Sequence, residues 1–430
     1  MFWRSSKSRL LAGFGLLASL ALVAGCETSA PEFQPNGMAA ADARLILEHQ
    51  QQIAAVMLDL FGTPDDPQVP DGVELDLELL TMASGAAGYE GHIEDDDHLQ
   101  RGLYRQHCAT CHGVTGRGRG PAAGMMVPAP RDFTAGLFKW KSTYLKAKPT
   151  DDDLRDVLIR GIPGTAMPSF ALLEDEKDQE EEDKRLDALV EYTKYLAIRG
   201  AFEQQLIATV GEQLDADFVE GTTDEPFDPA TDEADQQIVD QLLTQIAADW
   251  RDAESQVVVP DPALMPGAER SEQAIADSIA AGQELYKSLR TKCTDCHGPA
   301  GKGMELKEMD VWNQQLADYQ KETGVLEESI EFRQAQRHQS EAELVADRQL
   351  LVRRKRAADR QLYARKATAH DLTTGVFRGG SEPIDLFHRI HQGIAGTPMP
   401  GQGSPRPGVD GALSEQEIWQ LVDYIQSISK

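Results

Sequence analysis

The chain opens on a polar stretch carrying Arg4, Lys7 and Arg9, followed by apolar and small residues from Leu10 to Gly25. A membrane-spanning helix needs about 20 such residues; this run is shorter and suits the core of an export signal. Residues 27–37 are polar, with Pro and Gly, and read as a flexible stalk. Helical periodicity appears from Ala40 to Leu60. It returns from Leu75 to Met82 after a Pro/Gly/Asp turn, so residues 38–95 read as a small helical cap. Helices are also expected over Ala201–Gln213 and Gln236–Ala253. Between and after them lie an acidic stretch, Asp215–Asp235, and a Pro-rich extended one, Val257–Glu269, so residues 201–270 read as a partly ordered tether or brace. Residues 304–366 are dense in charge, lack proline and contain one glycine, Gly324. That pattern predicts a long helical hairpin broken at Gly324.

Five cysteines are too few for a disulfide scaffold in a chain of 430 residues. Four of them form two identical motifs, Cys108-Ala-Thr-Cys111-His112 and Cys293-Thr-Asp-Cys296-His297. C-x-x-C-H is the attachment signature of a c-type haem. Two thiols one helical turn apart add to the two porphyrin vinyl groups, and the next residue places an imidazole under the iron. A redox dithiol does not require the histidine. A zinc site would have to join the two distant pairs and leave both histidines idle. The fifth cysteine, Cys26, follows Val23-Ala24-Gly25, which resembles the bacterial lipobox. That resemblance implies cleavage before Cys26 and acylation of it; an uncleaved anchor with an incidental cysteine is the alternative. Both place the body of the protein outside the cytoplasm, on the periplasmic face of a bacterial membrane, where haem attachment of this kind occurs.

The two halves of the chain repeat. Gly161-Ile-Pro-Gly-Thr-Ala-Met167-Pro168 aligns with Gly393-Ile-Ala-Gly-Thr-Pro-Met399-Pro400. Asp132-Phe-Thr-Ala-Gly-Leu-Phe-Lys139 aligns with Asp371-Leu-Thr-Thr-Gly-Val-Phe-Arg378, and Leu189-Val-Glu-Tyr192 with Leu421-Val-Asp-Tyr424. Each motif is preceded by a helix with Gly and Tyr, Gly102 with Tyr104 and Gly282 with Tyr286, although the tyrosines differ by three residues in their offset from the first cysteine. This order of parts resembles the class I cytochrome c domain, over about 96–200 and 271–430. The resemblance implies an all-α fold. With the leader and the lipobox, the chain divides into a signal peptide at 1–25, a lipid-anchored stalk at 26–37, the cap at 38–95 and the first cytochrome c domain at 96–200. The linker at 201–270 and a second domain at 271–430, with its insertion at about 304–366, complete the chain. The resemblance also implies two covalently bound haem c groups, with His112 and His297 as proximal ligands and Met167 and Met399 as distal ones. A thioether is a soft, neutral ligand that favours Fe(II) and raises the potential, and proline after each methionine stiffens its loop.

Other residues compete for roles. His370, His388 and His391 offer bis-histidine ligation in the second module, but His391 aligns with Ile159 or Arg160 in the first. Met125 and Met126 have no counterpart in the repeat and read as pocket packing or loop. His107 is expected to face solvent. Arg131, Lys139 and Arg378 are candidates to pair with haem propionates.

A net charge of −29 makes nucleic acid or an anionic lipid surface an unsuitable main partner. Loss of Arg4, Lys7 and Arg9 with the signal would take it to about −32. The charge is uneven. Glu174–Asp183 is an acidic run, either a solvated loop or a docking patch for a basic redox partner. Arg348–Lys366 is basic, either part of a salt-bridged hairpin or a contact for the acidic linker, the first module or an acidic partner. A closed sixth iron position suits single-electron transfer without catalysis. The expected function is therefore a membrane-tethered di-haem electron carrier in an extracytoplasmic respiratory chain, working with a partner cytochrome, oxidase or dehydrogenase or as a subunit of an oxidase or dehydrogenase complex. Two alternatives stand beside it. A di-haem peroxidase or oxidoreductase haem subunit would need one open iron, and a structural anchor would use the hairpin to hold a partner.

Overall fold

The computed structural model describes residues 31–429 except 44, 46, 86–92, 95–99, 172–178, 221–226, 267–269, 310, 337–340 and 360–365. Cys26 and the first half of the acidic run Glu174–Asp183 lie outside the described residues. None of the described helices is long and apolar enough to cross a membrane.

The protein is all-α. The first half contains α1 (Gly37–Asp42), α2 (Leu47–Phe61) and α3 (Leu77–Ala83), then a minimal ribbon of β1 (Ile93–Glu94) and β2 (Gln100–Arg101). After these come α4 (Leu103–His107), α5 (Ala109–His112), α6 (Asp151–Arg160), α7 (Gln179–Glu220) and α8 (Glu233–Arg251). The second half contains α9 (Glu272–Lys287), α10 (Cys293–His297), β3 (Glu305–Met309), α11 (Val311–Gln336), α12 (Glu341–Asp359), β4 (Lys366–Thr368), α13 (Pro383–Gln392) and α14 (Glu415–Ile428).

Buried side chains group into two cores. The larger joins Ile53, Met57 and Phe61 of α2 and Leu80 of α3 to Leu189, Tyr195, Leu196 and Phe202 of α7 and to Val239, Leu243, Ile246 and Trp250 of α8. The segments read as a cap and a tether therefore share one core with the first haem module. The reason is the length of α7, which runs well past the module's end and presents an apolar face that α2 and α8 cover. α3 has a further role. The second module sets the 16-residue α9 across α14, at Gly282, where a Cβ would fall 2.0 Å from the Gln420 carbonyl. In the first module α4 has only five residues, and α3 packs against α7. The second core is smaller, built from Tyr286, Leu386, Phe387, Ile390 and the inner face of α14.

The insertion is a helical hairpin, α11 and α12, on a short antiparallel stem, β3 with β4, that the sequence did not suggest. Gly324 does not break it. It lies inside α11 with open space around it, because one helical glycine costs only about 1 kcal/mol relative to alanine. Ion pairs lace the two helices: Arg354 to Glu322 (3.0 Å), Lys355 to Glu327 (2.6 Å) and Arg333 to Asp347 (2.7 Å). Arg354 also stacks 4.4 Å from the Tyr319 ring. The described basic side chains of α12 thus find much of their complement within the hairpin, and α12 also lies alongside α1.

Two of the second module's ion pairs hold α14. Arg270 grips Asp423 with both nitrogens, at 2.5 and 2.8 Å, and Ser278 donates to the same carboxylate. Arg290 grips Glu417 at 2.6 and 2.7 Å, and Glu417 closes a capping box with Ser414. The Arg290 hydrogen bonds hold the Glu417 carboxyl at about 2 against an ordinary 4.5. A depressed carboxylate stabilises the fold fully above its unfolded value and loses that contribution as pH falls toward its folded value. Arg290→Ala should therefore destabilise the second module at neutral pH, and the difference from wild type should vanish between pH 4.5 and about 2. Denaturant unfolding at stepped pH checks this; a difference independent of pH would refute it.

Candidate functional site

Both C-x-x-C-H motifs fold as a single helical turn, α5 and α10, with the histidine at the last helical position and a left-handed glycine after it. Gly113 (φ 77°) and Gly298 (φ 71°) turn the chain out of the helix there. None of the four motif cysteines is joined in a disulfide. Burial pushes the Cys108 thiol up to about 12 and raises that of Cys293. Among the described residues no three His, Cys, Asp or Glu side chains gather as a metal cluster.

Each histidine is oriented by a backbone acceptor. His112 Nδ1 donates to the Arg131 carbonyl at 2.9 Å, and His297 Nδ1 to the His370 carbonyl at 3.0 Å. Arg131 and His370 occupy the same place in the repeat, the residue before Asp132 and Asp371. With Nδ1 engaged, Nε2 is the nitrogen left to bind iron. Burial lowers the pKa of both rings, which favours the neutral ligand form. The aspartates that follow hold the acceptor loops. Asp132 accepts from the Thr134 N–H (2.9 Å) and hydroxyl (2.6 Å), and Asp371 from those of Thr373 at the same two distances.

The methionine loops match bond for bond. The Ile162 N–H donates to the Met167 carbonyl (3.1 Å) and the Ile394 N–H to the Met399 carbonyl (3.2 Å). The Met167 N–H donates to Thr165 (3.1 Å) and the Met399 N–H to Thr397 (3.2 Å). Each threonine hydroxyl returns to the isoleucine carbonyl at 2.8 Å. Both methionines are partly buried, each against its own module's core.

The looser tyrosine alignment converges in space. Tyr104 donates to the Gly113 carbonyl (3.0 Å) and Tyr286 to the Gly298 carbonyl (2.7 Å). Their rings pack on the equivalent residues Tyr192, at 4.7 Å, and Tyr424, at 5.3 Å. The turn at Ser288–Lys292 takes up the three extra residues of the second module. Neither the tyrosine acceptors nor the Arg131 and His370 carbonyls were foreseen. The position just before each Asp-Φ-Thr was the available signal, but a backbone acceptor carries no residue type to recognise.

The other candidates are placed elsewhere. His370 Nε2 bonds the Val376 carbonyl, and His388 Nε2 the Val258 carbonyl (2.9 Å). His391 is buried, stacked 5.5 Å from Phe387, and a Cβ on Gly403 would collide with its ring. Burial lowers it to about 4. His107 does not face solvent: it is half-buried and meets the Phe170 ring edge-on at 6.1 Å. Met125 is 84% exposed, at the end of a short 3-10 turn, Ala123–Met125. The side chain of Arg378 is buried at Nε without a hydrogen-bond partner, while its carbonyl accepts from Arg389.

Paired thiols on one turn, a neutral imidazole with Nε2 available and a partly buried thioether suit a covalently attached haem c. Such a haem, when bound, supplies a one-electron iron couple. The arrangement defines a c-type haem protein. The cytochrome c family profile matches residues 101–197 and 279–429, and the chain belongs to the cytochrome c family, as a haem electron-transfer protein. It is similar to cytochrome c55X of Paracoccus denitrificans, 32% identical over 104 residues that make up 24% of this chain and 84% of that protein. It is also similar in structure to the reducing HAO-like protein complex of Kuenenia stuttgartiensis, with 19% identity and a TM-score of 0.42, covering 83% of this chain and 98% of the other.

Proposed function

We propose that the chain is a di-haem carrier of single electrons, tethered by a lipid on Cys26 to the periplasmic face of a bacterial membrane and serving redox partner proteins of a respiratory chain. Cys108, Cys111 and His112 hold one haem c, and Cys293, Cys296 and His297 the other. Met167 and Met399 are the distal ligands. The observation that carries this reading is the exact repetition of the support around both sites: the same carbonyl acceptor for each histidine and the same hydrogen bonds through each methionine loop. The Arg131 and His370 carbonyls keep each Nε2 directed, and the Thr165 and Thr397 hydroxyls hold the methionine loops in place. Met167 and Met399 as sixth ligands would leave no open position for a substrate oxygen, which favours electron transfer over peroxidase chemistry.

Expression in a host that attaches haem c tests the reading. Intact mass and haem absorbance should give two haems per chain. Cys296→Ser should lower that count by one, and Cys26→Ser should move the protein from the membrane to the soluble fraction. One haem in the native chain, or an unchanged membrane fraction for Cys26→Ser, would refute the corresponding part.

A further inference from the structure

Where the two modules meet, equivalent residues of the repeat make exchanged contacts. Gly164 and Gly396 are equivalent in the methionine loops, and Leu137 and Val376 are equivalent after Asp-Φ-Thr. A Cβ on Gly164 would stand 3.8 Å from Val376 Cγ1, and one on Gly396 would stand 3.6 Å from Leu137 Cδ1. Trp140 and Gly379 are also equivalent, and they face each other: a Cβ on Gly379 would fall 2.5 Å from the indole Cδ2. The helices α6 and α13 repeat the exchange. Asp153 is equivalent to Asp385 and Asp156 to His388. The Asp385 charge acts on Asp156, and the Asp153 charge acts on His388. When i meets j′ and j meets i′, the contact is isologous and is generated by a two-fold axis.

We infer that the two cytochrome modules dock on each other through an isologous, pseudo-two-fold interface with Trp140 at its centre, which holds the two methionine loops in one fixed relation. A residue on the axis meets its own equivalent, so two indoles would collide there. Gly379 leaves the space that Trp140 fills. The guanidinium of Arg389 stands 5.8 Å from the indole and is itself tied to the carbonyls of Arg378, Gly380 and Asp385. Off the axis, Arg160 pairs with Asp385 at 3.2 Å, and the Gln392 amide donates to the Lys141 carbonyl. The chain between the modules is pinned at the same place. The Val258 N–H donates to the Ser142 carbonyl and the Tyr144 N–H to the Gln256 carbonyl, both at 3.0 Å, while Val258 accepts from His388. The two modules are thus one two-centre unit and not two carriers on a flexible string.

The inference deepens the di-haem reading and uses it for one readout. In the oxidised full-length chain with both haems attached, pulsed EPR should give one narrow iron–iron distance distribution. Leu137→Asp should broaden it, and Val376→Asp, at the equivalent position of the other module, should broaden it to the same degree. Trp140→Gly should do likewise, and Trp140→Phe should retain most of the native distribution. Small-angle scattering of the same variants, which needs no haem, should show an increased radius of gyration for the three disruptive changes. Unchanged distance and radius in Leu137→Asp and Val376→Asp, or a change in only one of them, would overturn the inference. A haem count of one would refute the di-haem reading while the scattering arm still decided the interface.

Discussion

Met399→Ala is expected to convert the second module's haem from low-spin to high-spin and to lower its potential, while the first module's signals stay as they are. The Met399 backbone is held at both ends of its loop. Its N–H bonds Thr397 at 3.2 Å and its carbonyl accepts from Ile394 at 3.2 Å, with Pro400 following. Alanine leaves that loop intact and removes only the thioether, so the change isolates the ligand from the fold. Loss of a soft sixth ligand that favours Fe(II) should lower the potential on the order of 0.1–0.3 V, within the roughly 0.8 V that axial ligation spans in haem proteins. Met167→Ala should produce the same change in the first module only. Optical and EPR spectra with redox titration check both. A second haem that stays low-spin with an unaltered spectrum in Met399→Ala would show that another side chain closes that position.

Glu203→Ala should destabilise the first module by about 3–5 kcal/mol, the cost of stranding buried charge after one partner is removed. Glu203 and Arg199 have side chains only 3% and 5% exposed, and they pair at 3.4 Å. Arg117, five residues beyond His112, reaches the same carboxylate at 3.1 Å. The Asn36 N–H donates to it at 2.8 Å, and Phe33 lies 4.0 Å beneath the Arg199 guanidinium. Burial lowers the pKa of Arg199, but a guanidinium cannot escape its charge within the working pH range. One carboxylate thus joins the exit of the stalk, the loop after the first haem motif and the long α7. Denaturant unfolding should show the loss in the transition of the first module alone, and protease should cut near Phe33 more readily. A change below about 1 kcal/mol would mean that water replaces the carboxylate, as at exposed pairs.

The site was legible residue by residue because its chemistry is local. Two thiols one turn apart, an adjacent imidazole and a methionine before proline each need a fixed spacing, and the repeat displayed every spacing twice. The ion-paired hairpin was also legible, since alternating charge without proline leaves few other structures. Gly324 was misplaced as a break because a helix held by partners along its length tolerates the cost of one glycine. The proximity of His391 to the ligand loop suggested a second ligand, but its ring is used in packing, on Phe387 and under Gly403.

By itself, the sequence determined the two c-type motifs, the doubled module, the all-α class and the candidate ligands, because covalent attachment and axial ligation depend on residue type and short spacing. Only the tertiary structure decided what surrounds them. Which carbonyl accepts from each histidine, which helices share a core with α7 and which residues meet on the axis at Trp140 are contacts between segments far apart in the chain. Such contacts arise from the mutual burial of complementary surfaces, and no single segment encodes its partner.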